Sequence, residues 1–585
     1  MRISSLLGRQ NSSPFLVVAT LLAAGCSAPA DDAEDGIEDI GQELAALPDL
    51  VVVDVRSSKA APVAGDALTF SAVVKNQGTK ATPAGTVIRV VFAIDDTQVS
   101  FSNTYATALL PGASVTLTAN DGPDGDATWR ATAGAHVLRA RVDNTQRIAE
   151  SNEDNNVLER PLTVSGSTPT GTKAAPSDAF VESIGVVAHL NWGGTVWDTR
   201  FDQYAPILGE SGIRYVRTQA NAVSIPNMKQ LHATYGIRFD VRVDGRKADN
   251  TLDPSVIGPS LARLRDDLGA DKVVGIEGPN EYNDTKYEHD NTGWATQLRD
   301  FQRQLYTTAK ADAALRSIPI LAPSIWKRYE VDARALGDIS AYTDLGCLHY
   351  YTGGRKPTVW GGAENPIEDA FALAKINVPD APMWVTETGY NNKVDTVDSP
   401  YSTPEKTQAK YTLRLLGELF KRRASVGKSF LYNLMDTAGT PDKVYGLLRT
   451  DMSRKPVFYA IKNANQILSD EGAAFATGSL AHALTGDQTD VVSVVTQKRD
   501  GRFFLMIWLD VDSYDRRTGT ELSPAPRRLT LDVSSHRFSA MKVYHPTGLG
   551  LADPNKGALP IKTVTNPTSV AIDVPDHVMI LELDP

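Results

Sequence analysis

Between residues 181 and 468 the chain repeats one texture eight times: a short apolar run, then a longer amphipathic stretch. The apolar runs fall at 184–190, 213–217, 239–243, 273–276, 318–322, 345–350, 383–386 and 430–434. Between them lie segments of helical period such as 201–210, 257–268, 295–314, 366–375 and 404–423, and a last one, 457–468, follows the eighth run. Mainly apolar runs of this length read as buried strands. A helix between successive strands brings the chain back in the same direction, so the sheet is parallel. Eight such units predict a closed (β/α)8 TIM barrel over 177–470. A doubly wound sheet would have fewer strands and a glycine-rich first turn. Here the first turn reads His189-Leu190-Asn191-Trp192-Gly193-Gly194, without G-x-G-x-x-G spacing.

The flanks have a different texture. Residues 48–165 show short β-rich runs at 51–55, 68–74, 87–94, 114–118 and 136–142, punctuated by Asn76-Gln77-Gly78, Pro111-Gly112 and Asp121-Gly122-Pro123. This predicts an Ig-like β-sandwich. Residues 166–176 (GSTPTGTKAAP) are small and polar and read as a linker. After residue 470 strand-like runs return, predicting a second, C-terminal β-sandwich over 471–585 whose first strands pack on the barrel. A multidomain chain also suits the length of 585 residues.

Composition narrows the partners. A formal net charge of −11 gives no basic face for nucleic acid or anionic lipid. Cys26 and Cys347 are the only cysteines, which excludes a disulfide framework and a cysteine metal cluster. Arg2 and Arg9, the apolar stretch 15–22 and the small residues Ala23-Ala24-Gly25 form a targeting segment too short to span a bilayer. Leu22-Ala23-Ala24-Gly25-Cys26 resembles a bacterial lipobox, which implies lipidation at Cys26. The acidic stretch 27–47 is then a tether, and a lipid anchor is the only membrane contact expected. The implied place is the cell envelope, surface-exposed or periplasmic; Ser27 points to the outer membrane in a Gram-negative host.

Pro48-Asp49-Leu50, Val74-Lys75-Asn76-Gln77-Gly78, Leu110-Pro111-Gly112 and the run Glu150-Ser151-Asn152-Glu153-Asp154-Asn155-Asn156 resemble the CARDB (cell-adhesion-related bacterial) domain. The resemblance implies an extracellular spacer or adhesion unit with no chemistry of its own. Glu150, Glu153, Asp154 and Asn155 offer oxygens suited to Ca²⁺, but a turn with side-chain caps is the favoured reading. Asp510-Val511-Asp512 is read the same way.

The chemistry gathers where barrel strands end. The fourth run breaks at Gly278-Pro279 and then presents Asn280 and Glu281. The seventh, Met383-Trp384-Val385-Thr386-Glu387, ends in a second acid. Strands four and seven face each other across a barrel mouth, so both carboxyls can address one bond. Cleaving a glycoside with retention needs two carboxyls about 5–5.5 Å apart, one attacking the anomeric carbon and one protonating the leaving oxygen. Arg217, ending the second run, can pair with Glu387 and keep it ionised. Glu277 precedes the Gly-Pro turn and is read as a support for Asn280 or Arg217.

This pattern is similar to glycoside hydrolase clan A, the cellulase, xylanase and β-glycosidase superfamily, over the full barrel. The resemblance implies Glu281 as acid/base, Glu387 as nucleophile, Asn280 as a contact to the sugar 2-hydroxyl, and His349 and Tyr351 as partners of the nucleophile or of a sugar hydroxyl. Aromatic rings in rim loops stack on sugar CH faces; Trp192, Trp197, Trp326, Trp360 and Tyr390 are candidates, with Tyr432 and Asp436 completing the rim. No H-E-x-x-H, P-loop or G-x-S-x-G context occurs, and neither cofactor nor metal is expected. The expected activity is retaining, endo-type hydrolysis of a polysaccharide or oligosaccharide by a monomer. The rivals are a glycan-binding barrel without catalysis and a transglycosylase using the same site. The sugar itself is not readable.

Overall fold

The computed structural model describes residues 47–123, 125–165, 170–327, 330–361, 365–393, 401–436 and 444–585. The targeting segment, Cys26 and nearly all of the tether lie outside the described residues. Among the described residues, no helix is long and apolar enough to cross a membrane.

The N-terminal unit is a sandwich of two antiparallel sheets. One runs Leu50–Ser57, Ala67–Asn76, Ser114–Thr118, with Thr128–Arg130 on its second strand; the other runs Thr97–Ser102, Val90–Ile94, Gly134–Val142, Val157–Val164. Alternate residues of facing strands, including Leu50, Phe70, Val74, Phe92 and Val142, close a core of its own. Its polar motifs act as ties. The buried Asn76 side chain donates to the carbonyls of Lys80 and Leu109 and accepts from the amides of Asp49 and Gly78. Glu150 accepts from the Leu50 amide and from Asn156, while Glu153 accepts from the Glu150 amide. These carboxylates cap a turn that joins the first strand to the last.

The barrel strands are β1 (Ile184–Val187), β2 (Tyr215–Thr218), β3 (Arg238–Arg242), β4 (Val273–Glu277), β5 (Ile320–Leu321), β6 (Gly346–Tyr350), β7 (Met383–Thr388) and β8 (Val426–Leu431). All pairs are parallel, in the order β5-β4-β3-β2-β1-β8-β7-β6, and a parallel bridge between Leu321 and Leu345 closes β5 on β6. The strand–helix alternation is met in full: α1 (Phe201–Glu210), α2 (Ser224–Tyr235), α3 (Ile257–Ala262), α4 (Trp294–Ala311), α5 (Glu330–Leu336), α6 (Ile367–Lys375), α7 (Glu405–Lys421) and α8 (Pro456–Leu468) follow the strands in turn.

The C-terminal sandwich is not a separate body. One sheet contains Val491–Gln497, Phe503–Leu509, Met579–Asp584, Ala540–Tyr544 and Lys562–Thr565; the other contains Ser569–Val574, Arg527–Asp532 and Ser479–Thr485. Both are completed by residues that precede the barrel. Thr170–Lys173 pairs antiparallel with residues 479–482, and Ala175–Pro176 pairs parallel with Thr496 and Gln497. This corrects the linker reading for 170–176, whose backbone caps two open sheet edges where side-chain burial does not matter; residues 166–169 lie outside the described residues.

Sandwich and barrel also share one apolar core, in which Phe504, Met506, Trp508 and Ile580 meet Phe458, Ile461, Leu416 and Phe420. Buried between them, α7 explains its polar residues by their partners. Arg414 donates to the Val511 carbonyl and to Asp510 at 2.8 and 2.9 Å, and Lys410 pairs with Asp576 at 2.5 Å. Asp510 also accepts from Thr358 and pairs with Lys356 of the loop after β6. Its role is to fasten that loop to the sandwich.

Candidate active site

Arg217, on β2, is 1% exposed and points into the barrel. A buried guanidinium is stable only if its charge and donors are met, and here they are. Nε and one terminal nitrogen grip Glu277 at 2.5 and 2.8 Å, and the same nitrogen reaches Asn280 Oδ1 at 2.8 Å. The other donates to Glu387 Oε1 at 2.6 Å. Glu277, the last residue of β4, is thus the main anchor of Arg217.

The chain then breaks for steric reasons. A Cβ on Gly278 would lie 2.2 Å from Gln302 Oε1, so any larger residue would displace that buried side chain where the strand passes α4. Beyond Pro279, Glu281 takes a left-handed backbone with φ +47°, rare for a side-chain-bearing residue and concentrated at functional sites. The Ser324 hydroxyl accepts its amide at 3.0 Å. The carboxyl turns back over the mouth to His349 Nδ1 at 2.7 Å.

Glu387 arrives differently. It sits within β7, where the register against β6 slips between Leu348 and His349. The bulge lets consecutive side chains serve the interior: Thr386 contacts Cys347 at 2.8 Å, while Glu387 meets Arg217. The Tyr351 hydroxyl donates to Glu387 Oε2 at 2.9 Å, and His349 Nδ1 lies 3.6 Å from it. An oxygen of Glu281, an oxygen of Glu387 and a His349 nitrogen all lie within 4.8 Å of one another.

Burial alone pushes the Glu387 carboxyl up. The charges of His349 and Arg217 and the hydrogen bonds from Tyr351 and Arg217 outweigh it and hold the group at about 2. The Tyr351 phenol is driven well above its usual value by burial and by the adjacent Glu387 charge. Two carboxylates and an imidazole are also a donor set for a metal, but Arg217 and Tyr351 already occupy both oxygens of Glu387.

Of the residues expected from sequence, Glu281, Glu387, Asn280, Arg217, His349 and Tyr351 meet in this one cluster. Around one side of the mouth runs a belt of rings. Trp192, 39% exposed, stacks on His189 at 3.9 Å; His189 meets Tyr432 at 5.8 Å, Tyr432 meets Tyr445 at 5.7 Å, and Tyr445 meets Tyr351 at 5.6 Å. Sequence reasoning missed His189 and Tyr445 as members of the rim. Tyr445 stood in the closing segment before the last helix, and its place at the mouth follows only once that segment folds over β8. Trp326, after β5, lies across the barrel from Trp192 beside Tyr287, with its amide held by Asn283 at 2.7 Å. Trp360 leans on the apolar cluster around Tyr350 and Ile367.

Three expectations are corrected. Tyr390 is 1% exposed and packs on Tyr411 of α7, because Gly389 turns the chain away from the mouth with φ +155°. Trp197 is fully buried against Tyr204. Asp436 is held by Lys455 at 2.7 Å and by the Gly446 amide, so it braces the closing segment.

Residues 47–160 match the CARDB family model, and the N-terminal sandwich is a CARDB domain. No curated protein matches the chain. Among solved structures, the chain is similar to the GH39 enzyme from Xanthomonas axonopodis pv. citri, with 17% identity over 71% of this chain and 96% of that one and a TM-score of 0.47. A monomeric beta-xylosidase from Caulobacter crescentus CB15 is 17% identical over 71% of this chain and 98% of that one, with a TM-score of 0.48. A beta-glucuronidase from Bacteroides uniformis is 11% identical over 90% of this chain and 57% of that one, with a TM-score of 0.39. These are distant likenesses, and the barrel assignment stands on its own closed strand order.

Proposed function

We propose that the protein is a retaining O-glycoside hydrolase acting on a polysaccharide or oligosaccharide. The observation that carries this reading is the pair Glu281 and Glu387, with carboxyl oxygens within 4.8 Å at the mouth of the barrel. An inverting enzyme needs room for a water, and its carboxyls stand about 6.5–9.5 Å apart. Glu387, ionised and aimed by Arg217 and Tyr351, is the nucleophile; Glu281 protonates the leaving oxygen and later activates water. Asn280, held by Arg217, is turned toward the 2-hydroxyl of the bound sugar. Once Glu387 has become an ester, Glu281 takes the proton of the attacking water and serves as base.

The ring belt from Trp192 to Tyr351 and Trp326 opposite it support a cleft for several sugar units and endo action. A lipid anchor at Cys26, with the CARDB domain as spacer, would hold this barrel at the cell envelope. The test is an array of plant, fungal and bacterial polysaccharides, followed by NMR of the first product from any that is cleaved. The reading expects the anomer of the substrate; an inverted anomer removes Glu387 as nucleophile.

A further inference from the structure

The barrel interior beneath Arg217 holds one more acid. Asp240 of β3 is fully buried, and among the described residues neither of its carboxyl oxygens receives an N–H or O–H donor. The groups that face it are Glu277 of β4, through its charge, Arg217 of β2, whose Nε is 4.0 Å from Oδ2, and, also through its charge, Arg242 of β3. The barrel is built around this carboxyl: a Cβ on Gly275 would lie 2.7 Å from Asp240 Oδ1. Arg217 cannot turn to it, because its nitrogens already serve Glu277, Asn280 and Glu387.

An ionised Asp240 would therefore be a third carboxylate around Arg217, beside Glu277 and Glu387, with no hydrogen-bond donor of its own. A buried acid so placed takes up a proton instead. We propose that Asp240 is a protonated carboxylic acid at neutral pH, donating its proton as a hydrogen bond to Glu277, and that it acts as a positioning residue for Arg217. Burial and the Glu277 charge push its carboxyl well above the usual range, in agreement with the geometry.

The consequence for the reaction rests on the role of Glu387 given above. With Asp240 neutral, Arg217 faces two carboxylates, Glu277 and Glu387, before attack and one once Glu387 is an ester. With Asp240 ionised, it would face one more in each state.

The test uses the full chain and, in its first part, no substrate. Infrared difference spectra of wild type minus Asp240→Asn at neutral pH should show the C=O stretch of a protonated carboxylic acid. A difference containing only carboxylate bands overturns the proposal. Should that variant fail to fold, the band is read in a chain carrying Glu281→Gln and Glu150→Gln: a protonated-acid band that survives both substitutions at neutral pH supports the assignment, and its loss overturns it. In the second part, Asp240→Asn, neutral and still able to donate to Glu277, should restore most of what Asp240→Ala loses, roughly tenfold in kcat/KM. The acid limb of its pH profile should stay where wild type has it. An Asn variant whose acid limb moves has lost a real negative charge, which also overturns the proposal. The infrared band reads Asp240 alone, so failure of Glu387 to form a glycosyl ester would strike the functional reading and leave this assignment standing.

Discussion

Glu387 and Glu281 are two carboxylates at one barrel mouth, and their surroundings differ in kind. Glu387 belongs to a strand; it is nearly enclosed, gripped by a guanidinium and a phenol, and its side chain is only 10% exposed. Glu281 belongs to a loop with a left-handed backbone; its side chain is 23% exposed and meets His349 Nδ1 at 2.7 Å. Rigid, charge-matched surroundings keep Glu387 ionised and aimed. In the proposed reaction, the difference in role between the two acids follows from the element each sits on.

Breaking each half of this comparison should give effects of different size. Glu387→Ala should lower kcat by at least about 10⁴-fold on any substrate the wild type cleaves, since no ester can form. Glu281→Ala should cost about 10²–10⁴-fold and less on substrates with good leaving groups. Added azide should restore turnover of that variant and yield a glycosyl azide of retained configuration, a rescue the Glu387 variant should not share. Arg217→Lys keeps the charge but loses the fork, and should cost about 3–5 kcal/mol in chemical denaturation because Glu277 and Glu387 are left poorly paired. In the same variant the acid limb should move to higher pH, since Arg217 is one of the groups holding Glu387 at about 2. Tyr351→Phe removes one hydrogen bond to a charged oxygen, about 1.5–3 kcal/mol, and should slow turnover by roughly 10–100-fold with the fold intact.

Linkage gives the smallest and most selective effect. Glu387 has its folded value depressed from 4.5 to about 2, so its stabilisation is complete above 4.5 and is lost as pH falls toward 2. Glu150, in the CARDB domain, is raised by burial from 4.5 to about 7, so its contribution is complete below 4.5 and is lost as pH rises toward 7. Melting Glu387→Gln and Glu150→Gln across pH should flatten opposite ends of the stability profile.

The barrel was legible because eight buried strands and their helices leave a coarse periodic trace, and the two acids were legible because strand ends point at the mouth. Less was visible where function depends on tertiary approach. Residues 170–176 looked like a linker because edge pairing uses the backbone and leaves no side-chain signature. Tyr390 looked like a rim aromatic because a strand end predicts the mouth, whereas Gly389 turns it onto Tyr411. His189 and Tyr445 joined the ring belt through contacts between loops far apart in the chain. Asp240 gave no signal at all: it is one of two charged residues, with Arg242, in the third run, and only the packing of β2, β3 and β4 sets it beneath Arg217.

The most direct test of the difference between the two acids is covalent. The full chain, incubated with a panel of 2-deoxy-2-fluoroglycosides bearing good leaving groups, should gain the mass of one fluoroglycosyl unit from the matching sugar. Peptide mapping should place that unit on Glu387, and Glu387→Ala should gain nothing. A label on Glu281, or an enzyme that cleaves the corresponding glycoside yet releases the inverted anomer, would contradict the assignment.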